Sequence, residues 1–338
     1  MSAAGLLEVQ GIDVSLRSRR RASRRSGAAQ ILAGVSLAVA PGEIVGLIGE
    51  TGSGKTTLAR TVVGLVSPSA GTITFDGEEI SQLAGRQLRS LRRRGAIQLV
   101  FQDPLRSLDP DLDVAAIVGE GLDVQGGLSQ AERARRVAHA LELVGLDAAV
   151  SARRPGGLSG GQRQRVTIAR AVVMEPKLLI CDEPVSALDA SNRNRILRLL
   201  RELRDSLGIA IVIISHDLAS IAGVVDRLAV LYRGRIVEDG EASELFRSPQ
   251  HPYSALLLAS APRVSRARWR FDLQPEQLRR ERSDAGPHAG CVFAARCRFA
   301  VERCLENEPE RVASSSGGTV ACHRATEWRA VLEREAAA

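Results

Sequence analysis

The segment Gly49-Glu50-Thr51-Gly52-Ser53-Gly54-Lys55-Thr56-Thr57 restricts the possible folds of this chain more than any other stretch. It follows an apolar run, residues 43–48, that reads as a strand, and it opens a run at helical spacing from about Gly54 to Leu65. Strand, glycine-rich turn and helix in that order turn backbone N–H groups toward one point at the amino end of the helix, where the helix dipole also favours an anion. The pattern predicts a phosphate site in which Lys55 reaches the outer phosphates and the Thr56 hydroxyl ligates Mg2+. Lys55 is one of only two lysines, with Lys177, in a chain whose other basic residues are all arginine.

Around this segment the chain alternates short apolar runs with helical ones. Residues 6–9, 35–39, 72–75, 97–101, 178–181 and 209–215 read as strands, and a hairpin is expected through Arg233–Gly234. Residues 113–144 carry Ala, Leu, Glu and Arg at helical spacing, as expected of an inserted helical subdomain. Helices are also expected over 191–207 and 217–225, the first with Ile196, Leu200, Leu203 and Leu207 on its buried face and Arg198, Arg201 and Arg204 toward water. Alternation of this kind implies a mainly parallel sheet covered on both faces. Beyond about Glu241 the pattern fades, and residues 263–287 are charged and linker-like.

Composition narrows the role. No apolar stretch approaches the ~20 residues needed to span a bilayer, and the N-terminus lacks a signal-peptide core, so a cytosolic chain with at most a peripheral membrane role is expected. The net charge of +7 fits an acidic partner or surface without naming it. Aromatic residues form only 3% of the chain, which leaves few platforms for stacking nucleic-acid bases. The run Arg17–Arg25 suits anionic lipid or phosphate as well as it suits a solvated loop.

Two further segments carry chemistry. Leu178-Leu179-Ile180-Cys181-Asp182-Glu183 is an apolar strand ending in two carboxylates, at the strand end where α/β sheets bind ligands. Asp182 is expected to hold Mg2+, Glu183 to polarise an attacking water, and Cys181 to be a small core residue. In Leu158-Ser159-Gly160-Gly161-Gln162, Ser159 caps a helix while Gly160 and Gly161 let phosphate approach the backbone.

Leu-Ser-Gly-Gly-Gln ahead of an apolar strand with Asp-Glu resembles the signature of the ATP-binding-cassette (ABC) ATPases. The other hallmarks follow in order: Gln102 resembles the Q-loop glutamine, Ser186-Ala187-Leu188-Asp189 the D-loop, and His216 the switch histidine. The resemblance implies an α/β P-loop ABC nucleotide-binding domain over residues 1–245. Such a domain has a RecA-like core, an antiparallel β-subdomain and a helical subdomain inserted at about 103–165. Two cassettes would dimerise head to tail, each ATP lying between Gly49–Thr57 of one and Ser159, Gly160, Gly161 and Asp189 of the other. Thr56, Gln102 and Asp182 would hold Mg2+, Glu183 would act as base, and His216 would contact the γ-phosphate. Lys55 would neutralise charge and Gln102 would signal to membrane subunits. The family usually stacks adenine on an aromatic residue upstream of the P-loop, where this chain has Gly27-Ala28-Ala29-Gln30.

Val100-Phe101-Gln102-Asp103-Pro104, Ser107-Leu108-Asp109-Pro110 and Ser248-Pro249-Gln250-His251-Pro252-Tyr253-Ser254 narrow the resemblance to ATPases of oligopeptide and dipeptide importers. Nickel and glutathione importers are relatives of the same kind. The implied partners are a second, related ATPase, two transmembrane permease subunits and, indirectly, an extracytoplasmic solute-binding protein. Nucleic acid is not among them, and the implied location is the cytoplasmic face of a bacterial membrane. DNA-repair cassettes carry a long coiled coil between P-loop and signature and translation cassettes carry two cassettes per chain, neither of which is found here. A non-hydrolysing module would lack the base that Glu183 supplies.

Cys291, Cys297, Cys304 and Cys322 stand at spacings x5, x6 and x17 within residues 246–338. A reducing compartment disfavours disulfides, and the gaps match neither zinc knuckles nor ferredoxin runs. The resemblance implies a 4Fe–4S cluster on these four residues, with zinc or unliganded packed thiols as alternatives.

Overall fold

A computed structural model describes residues 5–16, 29–261, 273–279, 289–314 and 317–337. The Arg17–Arg25 run lies outside the described residues, as do Gly27 and Ala28. Twelve strands are described: β1 (Leu7–Leu16), β2 (Ala29–Val39), β3 (Ile44–Ile48), β4 (Ala70–Phe75), β5 (Glu78–Glu79), β6 (Ile97–Val100), β7 (Leu178–Asp182), β8 (Ala210–Ser215), β9 (Arg227–Tyr232), β10 (Arg235–Glu241), β11 (Val312–Ala313) and β12 (Thr319–Val320). The chain divides into two compact units, and the division passes through β1 and β2.

The first unit takes in residues through Ile12, Leu37–Ile44 and Thr56–Ser215. Its centre is the parallel ladder β6-β7-β8, Ile97 opposite Leu178 and Leu178 opposite Ala210. Every residue of β7 and β8 is buried, which is why these strands read as unbroken apolar runs. β1 and β2 instead alternate, burying in this unit Leu7, Val9 and Ile12 on one and Leu37 and Val39 on the other, in a four-stranded sheet of order β2-β1-β4-β5.

The helical stretch forms two helices, Val114–Gln125 and Gln130–Leu143, separated where Gly126 and Gly127 both adopt positive φ, 74° and 85°. Asp113 and Ser129 cap them, accepting from Ala116 N at 2.7 Å and Glu132 N at 3.2 Å. Both pack on the helix Gly160–Val172 through Ile117, Val118, Leu122, Val137 and Leu141. A helix at Gly85–Arg94 was not evident from the sequence, because it buries only Leu91 and otherwise reads as a charged run.

The helix over 191–207 is observed as Ala190–Leu207, with Ile196, Leu200 and Leu203 buried beside Leu197 and Leu199. Leu207 departs from the expected face and is 37% exposed, because the helix ends there at left-handed Gly208. The expected helix 217–225 shortens to Leu218–Ile221.

The second unit takes in the described residues of Asp13–Ser36, Val45–Lys55 and His216 onward. β3 pairs with β9 in parallel, β9 with β10 antiparallel through the Arg233–Gly234 turn, and β12 and β11 extend β10 antiparallel. The apparent loss of pattern after Glu241 conceals two helices, Ala242–Arg247 and Pro252–Ala259, the second almost wholly buried. No helix among the described residues is long and apolar enough to cross a membrane.

Leu200→Ala is expected to lower unfolding free energy by about 2–5 kcal/mol, as for any fully buried leucine, while Leu207→Ala costs less than about 1 kcal/mol. Urea denaturation of the two variants checks this difference.

Candidate functional site

In the second unit, β3 ends against the loop from Gly49. A Cβ on Gly49 would lie 2.1 Å from the Leu231 carbonyl oxygen on neighbouring β9, so nothing larger than glycine passes there. Gly54 has φ of 110°, and a Cβ would meet Leu32 at 2.7 Å. Gly234 N–H donates to Ser53 O at 2.8 Å, so the β9–β10 turn holds the loop in place. Lys55 is buried, and its Nζ donates to Gly49 O at 2.8 Å and Glu50 O at 2.9 Å, fixing the loop around the ammonium. Thr51 and Gly52 form the exposed crown. Thr56 and Thr57 stand in the first turn of the helix Lys55–Val62, which carries no acidic residue to offset its positive end.

Glu50 is more than a member of this loop. Tyr253 OH accepts from Glu50 N–H at 2.9 Å, and the Arg296 guanidinium forks onto the Glu50 carboxylate at 2.7 and 2.8 Å. The Arg296 hydrogen bonds hold the Glu50 carboxyl below the usual carboxylate range. Tyr253 is aimed from below: Glu238, fully buried on β10, accepts from Gln250 N at 2.6 Å and His251 N at 3.0 Å, and His251 Nδ1 accepts from Tyr253 N at 3.0 Å to start the helix Pro252–Ala259. His216 is exposed just past β8, and Asp217 caps the short helix after it.

The first unit holds the acids. β7 ends at Asp182, which is 4% exposed, and Glu183 follows in the left-handed region at φ 49°, its N–H donating to Ile214 O at 3.0 Å. A non-glycine residue held there costs about 1–2 kcal/mol, a strain typical of functional positions. Gln102 Nε2 donates to Glu183 Oε2 at 2.7 Å, so these two candidates meet directly although 81 residues apart.

Ser159 and Gln162 form a reciprocal capping box at 3.3 and 3.0 Å, opening the helix Gly160–Val172. Asp189 caps Ala190–Leu207, accepting from Asn192 N at 2.9 Å and Asn192 Nδ2 at 2.7 Å, and these bonds hold its carboxyl low. Asn192, which the sequence did not single out, also limits Gly161, where a Cβ would lie 3.1 Å from Asn192 Oδ1.

Lys177, the other lysine, pairs with Asp76 and ties the β4–β5 turn to the start of β7. It takes a structural place and no part in the candidate site.

The donor set for Mg2+, a threonine hydroxyl (Thr56), a glutamine amide oxygen (Gln102) and a carboxylate (Asp182), is all oxygen and fits that ion. The cysteines do not fit their expected group. Among the described residues no group of three or more His, Cys, Asp or Glu is placed to hold a metal ion, so neither the 4Fe–4S cluster nor zinc has support. Burial pushes Cys297 and Cys322 up to about 12, with neighbouring cysteines adding to the rise, and it raises Cys291 as well. Cys181 is fully buried in β7, the core residue expected.

The family model described as ABC transporter matches residues 32–186, and that described as oligopeptide/dipeptide transporter, C-terminal region, matches 237–304. A peptide import ATP-binding protein of Brucella ovis is 42% identical over 96% of this chain and 99% of its own length. A peptide ABC transporter ATP-binding protein of Sinorhizobium fredii is 42% identical over 86% of this chain and 81% of its own. Among solved structures, CbiO1 of Clostridium perfringens, part of an ABC transporter complex, has a TM-score of 0.64 at 31% identity, covering 78% of this chain and 98% of that one. The dimeric ATP-binding cassette MJ0796 bound to ADP and Pi has a TM-score of 0.62 at 28% identity, covering 70% and 98%.

Glu183→Gly is expected to raise unfolding free energy by up to about 1 kcal/mol by relieving the left-handed backbone, whereas Glu183→Ala brings no such gain; denaturant titration separates the two. A pH dependence follows from Glu238. Burial is the largest influence on this carboxyl and outweighs the N–H groups and Arg329, which favour its charged form, so it titrates at about 7 in the fold against 4.5 ordinarily. The native state therefore holds the extra proton between these values, and its stabilising effect is complete below 4.5 and lost as pH rises through 7. Unfolding free energy should fall by roughly 1 kcal/mol from pH 6 to pH 8, and Glu238→Gln should flatten that slope. Denaturation at the two pH values checks it.

Proposed function

The chain belongs to the ATP-binding subunits of ABC transporters, and on that premise we propose that it powers import of di- and oligopeptides. The observation that carries the cargo class is the 42% identity, end to end, with a protein named for peptide import. The match of residues 237–304 to the C-terminal region of oligopeptide and dipeptide transporters supports it. ATP hydrolysis coupled to transport is the activity of this family.

In this reading the chain's partners are a second ATPase of the same kind, with which it forms a head-to-tail pair, and two membrane permeases at the cytoplasmic face of a bacterial membrane. A solute-binding protein outside delivers cargo. Residues 246–338 form the extension that distinguishes importers of this type.

Gly49–Thr57 cradle the phosphates with backbone N–H groups, and Lys55 offsets their charge. Thr56, Gln102 and Asp182 would hold Mg2+, which would offset charge on the phosphates. Glu183 accepts the proton of the attacking water, its carboxylate oriented by the Gln102 amide. His216 contacts the γ-phosphate, while Ser159, Gly160, Gly161 and Asp189 serve the nucleotide of the partner cassette. Because the same glutamine meets the catalytic carboxylate and stands, with Phe101, at the exposed start of the segment leading to the short helix Pro104–Ser107, it is suited to report occupancy to a permease. Phosphoryl transfer of this kind depends on positioning and charge more than on covalent chemistry.

The test is ATP turnover in membranes containing the whole transporter, wild type beside Glu183→Gln, with and without short peptides and the binding protein. Peptide-stimulated hydrolysis that falls at least ~100-fold in the variant is expected. Hydrolysis dependent on Glu183 but indifferent to peptides would redirect the cargo to another small solute, such as nickel or glutathione. Hydrolysis independent of Glu183 would sink its assignment as base.

A further inference from the structure

Residue 50 of the phosphate loop is held at three points. Its carbonyl accepts from Lys55 Nζ, its N–H donates to Tyr253 OH, and its carboxylate takes both arms of the Arg296 guanidinium. Two of these anchors come from residues more than two hundred positions downstream, in the segment that also carries the cysteines. Arg296 is itself fixed. Its Nη1 reaches Tyr232 OH at 3.3 Å, and its guanidinium stands 5.7 Å from the ring centres of both Tyr232 and Phe293. Tyr232, Tyr253, Phe293 and His251 pack together with centroids 4.5 to 5.8 Å apart, a rigid base beneath the loop.

A carboxylate in this place needs an explanation. Glu50 belongs to the loop whose Lys55 ammonium, bonded to the Glu50 carbonyl, is to receive a polyanion; an uncompensated carboxylate in that loop would repel phosphate, and Arg296 is the largest of the cations that offset it, ahead of Arg279 and Arg233. Arg296 cancels that charge and, by gripping both oxygens, holds the loop's second residue in one orientation. We propose that Arg296, supplied by the C-terminal segment, is a positioning residue for nucleotide binding: it neutralises and orients Glu50 so that the loop can accept the phosphates of ATP. The inference rests on the assignment of Gly49–Thr57 as the ATP phosphate loop. It gives the C-terminal segment a function at the ATP site in addition to marking the type of importer.

The test compares wild type with Arg296→Ala, Glu50→Gln, the double variant and Arg296→Lys in the full-length protein. MgATP affinity is read with a fluorescent ATP analogue, and KM and kcat are measured in the assembled transporter. Arg296→Ala should weaken binding and raise KM about tenfold, with kcat within about threefold of wild type, because the change acts on charge near the phosphates and not on the reacting atoms. Glu50→Gln, which loses the fork but leaves no charge to repel phosphate, should weaken binding less than Arg296→Ala does. In the double variant it should restore affinity to within about threefold, since no charge is left to cancel. Arg296→Lys, which keeps the charge without the fork, should fall between wild type and Arg296→Ala.

A purely structural role for Arg296 would lower the melting temperature of Arg296→Ala without rescue by Glu50→Gln, and that outcome would overturn the proposal. So would unchanged KM in Arg296→Ala. Should Arg296→Ala not fold, Glu50→Gln still decides: binding ten times weaker than wild type would sink the neutralisation argument. A wild type that binds no ATP, beside an equally silent Lys55→Ala, would remove the nucleotide reading and this inference together, whereas a binding wild type with an indifferent Arg296→Ala removes this inference alone.

Discussion

Parallel strands cannot be joined by tight turns, so each must be left at its carboxyl end and re-entered from far along the chain. That constraint governs where chemistry can stand in this molecule. β3, β7 and β8 are buried along their whole length and have no room for a working polar group until the last residue or the one after. At these points the chain places Gly49, the pair Asp182 and Glu183, and His216. In the first unit the β7–β8 ladder goes further, because the Glu183 N–H still bonds to Ile214 O while its backbone has already entered the left-handed region. Burial excludes polar groups from the strands and leaves the strand ends as the places where they can be tolerated.

Much of this was legible before any coordinates. The glycine-rich loop after β3 announces itself through glycines whose absence of a side chain is required by Leu231 and Leu32, and the acid-tipped strand announces itself because a doubly buried strand has no alternation to blur it. Capping residues were equally readable, since Ser159 acts on its own helix three residues on. What could not be read is whatever depends on distant partners. The Arg296–Glu50 fork spans 246 residues, and neither member carries a local signal that points to the other. Gly85–Arg94 escaped because a helix that buries a single leucine has almost no period to detect. The cysteines are a different case: their number suggested a ligand set, but among the described residues no group of three or more is placed to hold a metal ion.

The scarcity of aromatic residues acquires another meaning in the fold. At 3% of the chain they are too few to form a stacking surface, yet both tyrosines stand in one cluster with Phe293. Nearby, Phe299 and Trp328 pair at 5.3 Å, and the Trp328 indole donates to Gln250 O at 2.8 Å. These large side chains are concentrated where a segment poor in regular structure must be made firm. β11 and β12 are two residues each, so their ladder hydrogen bonds alone contribute little rigidity.

The paired glycines between the helices Val114–Gln125 and Gln130–Leu143 also bear on how this molecule can be handled. Residues 123–127 are exposed, each flanking helix is closed by its own cap, and neither core leucine nor buried strand lies within the break. A fluorescent tag or affinity epitope spliced between Gly126 and Gly127 would therefore load no packed surface, and limited proteolysis should cut there. The break offers a handle for labelling the protein.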